Sequence, residues 1–332
     1  MKKIVCFLLI IILLTGCTKN NSDKEVVNVL NWSSYIPDEV IRDFQEEYNI
    51  KVNYGTYSSN EELLAKITNS KKGTYDVIFP SDYMIELMIE RDLIQKMNIG
   101  RLTNVKNINP IFLSQSYDKY NEYSLPFLST INVIAVNREN VKESIHGYKD
   151  LLNNNYKNDI VMLDDQRIVI GTSLLANGFD MNSVKKDELN IAKKWLLDLK
   201  SNIKAYDSDS PKSFFITGEV NVGVLWNAEA ELAKQENNNI EIIYPSEGHA
   251  ISTDNYAIVN GAKNLNNAYL FIDYLLRKDV GDKITKEYPY ISPIKGVNNS
   301  IISVNDVFKN GYYVKNIGSY IRDYDKLWAD IK

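Results

Sequence analysis

The chain has 332 residues, with 38 Lys and Arg against 43 Asp and Glu, and a net charge of −5 at neutral pH. Hydrophobic residues make up 44% of it, and it contains 22 Tyr but only two Cys. The acidic balance argues against a nucleic-acid partner and favours a cationic ligand. The length exceeds what one simple core needs and predicts two lobes.

Residues 1–16 have the pattern of an export signal. Lys2 and Lys3 precede an apolar run at 4–14, which is too short to cross a bilayer core of about 30 Å as a helix. The segment Leu14-Thr15-Gly16-Cys17 resembles the lipobox of bacterial lipoproteins, in which the cysteine is acylated and becomes the first residue of the mature chain. This resemblance predicts a lipoprotein signal peptide, with Cys17 lipidated and anchoring the chain to a membrane. Two alternatives stay open: a plain signal peptide that contains a cysteine, and an uncleaved anchor.

Cysteine usage supports an exported protein without disulfides. Cys6 would leave with the signal peptide and Cys17 would take lipid, so the folded part is predicted to hold no disulfide, thiolate nucleophile or cysteine metal site. Residues 17–25 are polar and lack apolar periodicity, which indicates a flexible tether. Without Lys2 and Lys3 the chain keeps 36 of its 38 basic residues against 43 acidic ones, a net charge of −7.

The first hundred residues alternate predicted strands and helices. The predicted strands lie at 26–30, 50–54 and 75–79, and the predicted helices begin near Pro37, after Ser59 and at Asp82. Ser59 and Glu62 match a capping box. This alternation predicts a parallel, doubly wound sheet.

The later part of the chain repeats the alternation. Predicted strands lie at 159–163, 221–226 and 240–244, with predicted helices at 187–199 and 228–236. Two further strands, at 131–137 and 256–260, are expected to cross between the lobes. Each lobe would then consist of discontinuous segments, with a hinge at the crossings that allows closure around a ligand.

Aromatic, acidic and hydroxyl side chains follow the predicted strands, and ligands of open α/β sheets bind beyond the carboxyl ends of strands. These residues are Trp32, Ser33 and Tyr35; Ser81, Asp82 and Tyr83; Asp164 and Asp165; Trp226; and Asp254 before the second crossing. Aromatic faces attract cations and carboxylates form strong hydrogen bonds to ammonium groups, so position alone predicts a site for a cationic or polar solute. The alternative is that the tryptophans and tyrosines fill or rim the core and that the aspartates cap helices or turns.

At these same segments the sequence resembles the spermidine/putrescine-binding proteins of bacterial ABC importers, in order and over nearly the whole mature chain. The matching stretches are Asn31 to Pro37, Tyr75 to Tyr83, Leu163 to Asp165, Gly218 to Asn227, Tyr244 to Gly248 with Asp254, and Phe271 to Val280. The resemblance implies capture of a polyamine between two lobes and its delivery to a membrane permease powered by an ATPase. It implies an exported monomer on a lipid anchor, with no catalytic activity, cofactor or metal.

The resemblance also implies the fold class, α/β, as a two-lobed periplasmic-binding-protein fold of type II. Each lobe would have a central, mainly parallel sheet flanked by helices, with a hinge between the lobes. The first lobe is expected at 26–131 plus 257–300, and the second at 132–256 plus 301–332.

Family binding residues transfer to individual positions of this chain. Aromatic positions are Trp32, Tyr35, Tyr83 and Trp226, with Tyr290 as a further cleft aromatic; polar lining positions are Ser33, Ser81 and Ser208; ammonium-binding carboxylates are Asp165 and Asp254. Three family positions differ, because Ile168 replaces a glutamate, Ser252 a tryptophan and Val314 a glutamine. Asp82 is a candidate substitute for the missing acid, or else only a helix cap. Putrescine, spermidine and related organic cations therefore remain open as ligands.

Other functions have less support in the sequence. His146 and His249 do not form a metal-binding pattern, Gly-x-Ser-x-Gly and phosphate-loop motifs are absent, and the adjacent Asp164 and Asp165 are expected to point apart, which argues against an enzyme. Tyr312-Tyr313 is the kind of tyrosine pair that some binding proteins use for ferric iron. A ligand-sensing surface lipoprotein is a further alternative.

Overall fold

The computed structural model describes residues 25–297 and 303–332. The predicted signal peptide at 1–16, the lipidated Cys17 and most of the tether lie outside the described residues. Glu25, expected at the end of the tether, already belongs to the first strand. Among the described residues, no helix has both the length and the apolar character needed to span a membrane.

The strands and helices alternate over most of this length. The strands are β1 Glu25–Trp32, β2 Ile50–Tyr57, β3 Val77–Ile78, β4 Ile94–Gln95, β5 Ser124–Asn137, β6 Ile160–Met162, β7 Ile203–Tyr206, β8 Val222–Trp226, β9 Ile240–Ile243, β10 His249–Val259 and β11 Gly311–Tyr313. The helices are α1 Asp38–Tyr48, α2 Asn60–Asn69, α3 Asp82–Glu90, α4 Gln166–Ala176, α5 Lys186–Leu199, α6 Lys212–Ile216, α7 Asn227–Glu236, α8 Leu265–Leu275, α9 Lys278–Glu287, α10 Val304–Lys309 and α11 Ile321–Ile331. Short 3-10 helices occur at Ile99–Arg101, Val105–Asn107, Pro110–Phe112, Tyr148–Leu152, Asn154–Tyr156 and Gly318–Tyr320.

The described strands form one mixed sheet in the order β2-β1-β3-β10-β5-β8-β6-β7, with β4 and β11 paired to β10 and β9 paired to β5. The outer sets β2-β1-β3 and β7-β6-β8 are parallel, as predicted. The two long central strands are antiparallel to β3 and β8 and to each other, so the prediction of a mainly parallel sheet holds only for the outer strands. The α/β class is confirmed.

The long strands β5 and β10 join the two halves of the sheet. Residues 124–131 of β5 pair with β10, whereas residues 132–137 pair with β8 and β9. Both strands begin seven residues before the predicted crossing strands at 131–137 and 256–260. The prediction missed the start of β5 because all fourteen of its residues are buried, which removes the alternation, and because Pro126 is atypical of a strand. Pro126 is tolerated there because it pairs with Asn255 beside a shift of register in β10.

In each half of the sheet, a cluster of buried hydrophobic side chains packs against each of the two faces. Val77 and Phe79 pack into one cluster with Phe44, while Ile78 between them faces a second cluster. In the other half Val136 and Val133 likewise belong to separate clusters on opposite faces. This alternation follows from strand geometry and places helices on both sides of each half-sheet.

The Asp76 carboxylate ties together three elements of the first half. It is fully buried and accepts hydrogen bonds from the backbone and side-chain nitrogens of Asn28 on β1, at 2.8 and 3.1 Å. It also accepts from the backbone and side-chain nitrogens of Asn264, which precedes α8, both at 2.9 Å. These four donors compensate the burial of the charge.

We predict that Asp76→Asn lowers the free energy of unfolding by about 3 kcal/mol, since the amide group would oppose donors that now bind a carboxylate. Urea denaturation measures this change. Asp198→Asn is the matched control, because Asp198 is exposed in the last turn of α5, and it should change stability by less than about 0.5 kcal/mol. Equal stability of the two variants would contradict the role given to Asp76.

Candidate functional site

Trp32 lies at the carboxyl end of β1, where its ring is fixed by two neighbours. Its Nε1 donates a 3.0 Å hydrogen bond to the Phe79 carbonyl, which follows β3. Tyr57, at the end of β2, donates to the same carbonyl at 2.6 Å, and its ring centre lies 4.6 Å from that of Trp32. The carboxyl ends of the adjacent parallel strands β2, β1 and β3 thus hold Trp32 and Tyr57 together as one aromatic wall. Ligands of open α/β sheets bind at this edge, beyond the carboxyl ends of the strands, which we call the strand-end rule.

Tyr35 and Tyr290 extend this wall. Their ring centres are 4.6 Å apart, and Tyr35 lies 6.3 Å from Trp32. Tyr35 can turn back toward Trp32 because Ser34 adopts the left-handed backbone conformation, with φ of 55°. Ser33, another predicted site residue, is exposed in this turn and lies at the rim of the site.

Asp254 lies on β10 beside the aromatic wall and is held by Ser81. The Ser81 hydroxyl donates a 2.6 Å hydrogen bond to Asp254 Oδ1, and the two residues also form a backbone bridge. Asn60, at the start of α2, donates from Nδ2 to Ser81 Oγ at 3.1 Å and accepts from Ser81 N at 3.2 Å. The register shift between Asp254 and Asn255 is the kind of bulge that reorients a side chain at a site.

The Asp254 side chain is only 3% exposed, and no ion pair with a protein cation forms among the described residues. Burial raises the pKa of its carboxyl group to about 6, although donors on Ser81, Tyr35 and Trp32 offset part of the effect. A buried carboxylate without a cation is costly, so this position favours a positively charged ligand.

Asp82 is a second fully buried acid, in the first turn of α3. Its Oδ1 accepts a 2.8 Å hydrogen bond from Tyr83 N, and Oδ2 accepts a 3.3 Å bond from Thr253 N on β10. Burial raises its pKa well above the usual range, and the nearby Asp254 carboxylate raises it further. Asp82 is therefore both a helix-start residue and an acid next to Asp254.

Asp165 brings a third acid from the second half of the sheet. It is the N-cap of α4, and its Oδ1 accepts hydrogen bonds from Arg167 N at 2.8 Å and Ile168 N at 3.1 Å. Burial raises the pKa of Asp165. The predicted alternative of a capping role is thus present, while Oδ2 makes no hydrogen bond to the described parts of the chain. Asp164, its neighbour, is exposed and bonded to Lys332, so the two acids point apart as predicted.

Tyr83 connects the two halves at this point. Its ring packs against cores of both halves, and its hydroxyl donates to Glu61 Oε1 at 3.4 Å. Burial and the charges of Glu61 and Asp165 raise its pKa. Trp226, at the carboxyl end of β8, packs against the same core of the second half as Tyr83.

Ser208 lies in the loop that follows β7, which ends the sheet order on the side opposite to β2 and β1. Its hydroxyl oxygen is buried and has no hydrogen-bond partner in residues 25–297 and 303–332. The structure therefore groups Trp32, Tyr35, Ser81, Asp82, Tyr83, Asp254 and Tyr290 closely, adds Asp165 and Trp226 from the second half, and leaves Ser33 and Ser208 at the edges.

Sequence reasoning missed several residues at or near the site. Tyr57 would have been found by the strand-end rule if β2 had been predicted to reach its true end. Asn60 reaches Ser81 only through the tertiary fold. Tyr313, on β11, has a buried hydroxyl without a hydrogen-bond partner among the described atoms, and its ring centre lies 6.2 Å from that of Tyr117.

The tyrosine pair considered for ferric iron does not converge. Tyr312 is 40% exposed, whereas Tyr313 is half-buried, as expected for consecutive residues of a strand. Within the described ranges, no group of three or more His, Cys, Asp or Glu side chains is placed to hold a metal ion.

Residues 39–310 match the sequence family described as bacterial extracellular solute-binding protein. The chain belongs to this family. It is 32% identical to the spermidine/putrescine-binding periplasmic protein of Escherichia coli K12, over 93% of this chain and 92% of that protein.

Solved structures of relatives have the same fold. A spermidine/putrescine ABC transporter substrate-binding protein from Streptococcus pneumoniae is 28% identical, with a TM-score of 0.82 over 92% of this chain and 98% of that one. A Treponema pallidum lipoprotein is 25% identical, with a TM-score of 0.86 over 93% and 99% of the two chains. The expected two-lobed periplasmic-binding-protein fold is confirmed, and the family is an exported one.

The raised pKa of Asp254 predicts that the ligand-free protein becomes less stable as the pH rises. The folded-state pKa of about 6 exceeds the ordinary value of 3.8, so the contribution of Asp254 to stability is full below about pH 4 and is lost as the pH rises through 6. The unfolding free energy of the wild type, relative to Asp254→Asn, should therefore fall by about 2 kcal/mol between pH 4 and 7. Denaturation at several pH values tests this, with Asp198→Asn expected to follow the wild type. Parallel curves for wild type and Asp254→Asn would refute the assignment.

Proposed function

We propose that this protein is the substrate-binding component of a polyamine ABC transport system. The observation that supports this most directly is Asp254, a buried carboxylate that is held by Ser81 beside an aromatic wall and forms no ion pair with a Lys, Arg or His of residues 25–297 and 303–332. An alkyl ammonium supplies the missing charge, and the adjacent rings cover its methylene groups. The names of the similar proteins from E. coli and S. pneumoniae agree with this ligand class.

The binding mode follows from where the acids and rings lie. One ammonium group binds Asp254 and Asp82, and the alkyl chain runs along Trp32, Tyr35 and Tyr290. The far ammonium group then reaches toward Asp165, whose second carboxylate oxygen remains available. Because these acids come from both halves of the sheet, a ligand that contacts all of them stabilises the closed arrangement of the lobes.

The lobe boundaries at residues 131 and 256 are part of this proposal, with β5 and β10 as the hinge. The chain acts as a monomer, without cofactor or catalytic turnover, and presents its closed, ligand-bound form to a permease and its ATPase.

Cys17 is proposed to carry the lipid that holds the protein at the membrane, facing the periplasm or cell exterior. The similar T. pallidum protein is itself described as a lipoprotein.

The proposal is tested by calorimetry and thermal shift on the soluble domain, with putrescine, cadaverine, spermidine, spermine and ferric iron as probes. Saturable heat and a rise in melting temperature with at least one amine are expected. Binding of iron with a visible charge-transfer colour, and no response to any amine, would replace the proposal with the iron alternative.

We predict that Asp254→Asn weakens amine binding at least about tenfold, since a charge-assisted hydrogen bond to the ammonium is lost. Asp198→Asn should leave the affinity unchanged, because this exposed side chain lies on the outer helix α5. Calorimetry with both variants measures the difference. If Asp254→Asn binds like the wild type, Asp254 is not part of the site.

Affinity should also depend on pH. The amine stays protonated near neutral pH, whereas Asp254 must lose its proton to bind it. Affinity is therefore expected to fall toward tenfold per pH unit as the pH drops below the Asp254 pKa of about 6. Titrations from pH 4.5 to 8 should give a shallower dependence for Asp254→Asn than for the wild type. An affinity independent of pH would contradict a buried acid as the anchor.

A further inference from the structure

A buried amide group lies at the point where β5 changes its partners in the sheet. Asn227, the first residue of α7, is fully buried. Its Oδ1 accepts hydrogen bonds from Ile131 N and from the Thr130 hydroxyl, both at 2.9 Å. Thr130 and Ile131 are the last residues of β5 that pair with β10, and Asn132 is the first that pairs with β8. The amide oxygen therefore holds β5 where the two halves of the sheet meet.

The amide nitrogen of the same side chain reaches toward the first half of the sheet. Asn227 Nδ2 donates to the Pro289 carbonyl at 3.3 Å. The segment that follows Pro289 is tied to the first part of β5, because Ser129 and Ile291 exchange backbone hydrogen bonds of 2.8 and 2.9 Å. One side chain at the start of a second-half helix thus bonds a first-half segment as well as the strand between the halves.

Two aromatic residues of the candidate site are the direct neighbours of these bonded residues. Trp226 precedes Asn227 and packs against the second-half core. Tyr290 follows Pro289 and packs against the first-half cluster that contains Phe79. Both rings are half-buried. Any change in the distance between Asn227 and Pro289 therefore moves one ring relative to the other.

The bond to Pro289 is present in an arrangement in which the two halves touch. Tyr83, from the first half, packs against the second-half core as well as its own. We propose that Asn227 is a positioning residue that holds the two lobes at the angle required for binding, without touching the ligand itself. This inference rests on the proposed function, in which β5 and β10 form the hinge.

The physical argument is one of populations. Rotation of one lobe against the other changes the distance between the start of α7 and the Pro289 carbonyl, so the intact hydrogen bond favours the arrangement that contains it. A ligand that contacts both lobes binds with an apparent affinity proportional to the population of that arrangement. Loss of the amide should therefore weaken every bound amine by the same factor.

The test compares Asn227→Ala with Asn202→Ala in the soluble domain, by calorimetry with putrescine and spermidine. Asn202 is a matched control, because it is buried and its Nδ2 donates to the carbonyls of Leu151 and Asn153 at 2.8 and 3.0 Å, all within the second half. Both variants should lower the melting temperature, since each leaves buried groups unsatisfied. Only Asn227→Ala should weaken binding, by about tenfold for both amines.

The separation of the lobes is a readout that a merely structural role would not move. Spin labels on Glu46→Cys in α1 and Lys194→Cys in α5 report this separation, because both positions are exposed and residues 18–332 contain no native cysteine. Without ligand, Asn227→Ala should shift the label distances to longer values than in the wild type. Asn202→Ala should give the wild-type distances.

If Asn227→Ala does not fold, Thr130→Val serves in its place, because it removes only the hydroxyl hydrogen bond to Asn227 in a side chain of the same shape. It should change the affinity and the separation in the same direction, by less. Wild-type affinity or wild-type separation in the variant that folds, or equal changes in Asn202→Ala, would overturn this inference and leave the proposed function standing. If the wild type bound no amine, the proposed function would be overturned, while the label distances would still decide the role of Asn227.

Discussion

The constraint on which the rest of this structure depends is the burial of two carboxylates that form no ion pair with any Lys, Arg or His in the described part of the chain. Asp254 and Asp82 lie next to each other, almost fully removed from water, and the hydrogen bonds that they accept come from neutral donors. Such an arrangement raises the pKa values of both acids and costs stability in the free protein. The fold tolerates the cost because the surrounding strand ends are locked by their own hydrogen bonds, and a cationic ligand can offset it.

The contrast with Asp76 illustrates this difference between structural and functional acids. Asp76 is equally buried, but four nitrogens of Asn28 and Asn264 donate to it, so its charge is satisfied within the fold. Asp254 accepts its short hydrogen bond from the Ser81 hydroxyl and otherwise faces the side chains of Tyr35 and Trp32, whose polar groups also lower its pKa. Burial alone therefore does not identify a binding residue; the number and type of donors around the carboxylate distinguish the two cases.

Local pattern was sufficient for much of the fold. The helices after Pro37 and Ser59 begin where their capping residues predict, because capping depends on neighbours within a few positions. The resemblance to polyamine-binding proteins indicated the aromatic and acidic residues, and the strand-end rule explained why they should gather. Prediction failed for the starts of β5 and β10, since strands buried on both faces lose the alternation that marks a strand.

By itself the sequence determined the alternation of strands and helices, the family and the set of residues at strand ends, because these depend on short-range periodicity and on residue order. Only the tertiary structure decided which acids lack a counter-charge. The hydrogen bond from Ser81 to Asp254 spans 173 positions, and the one from Thr253 N to Asp82 spans 171. Such pairings depend on how distant strands meet and on how much water they exclude, and neither quantity is local in the chain.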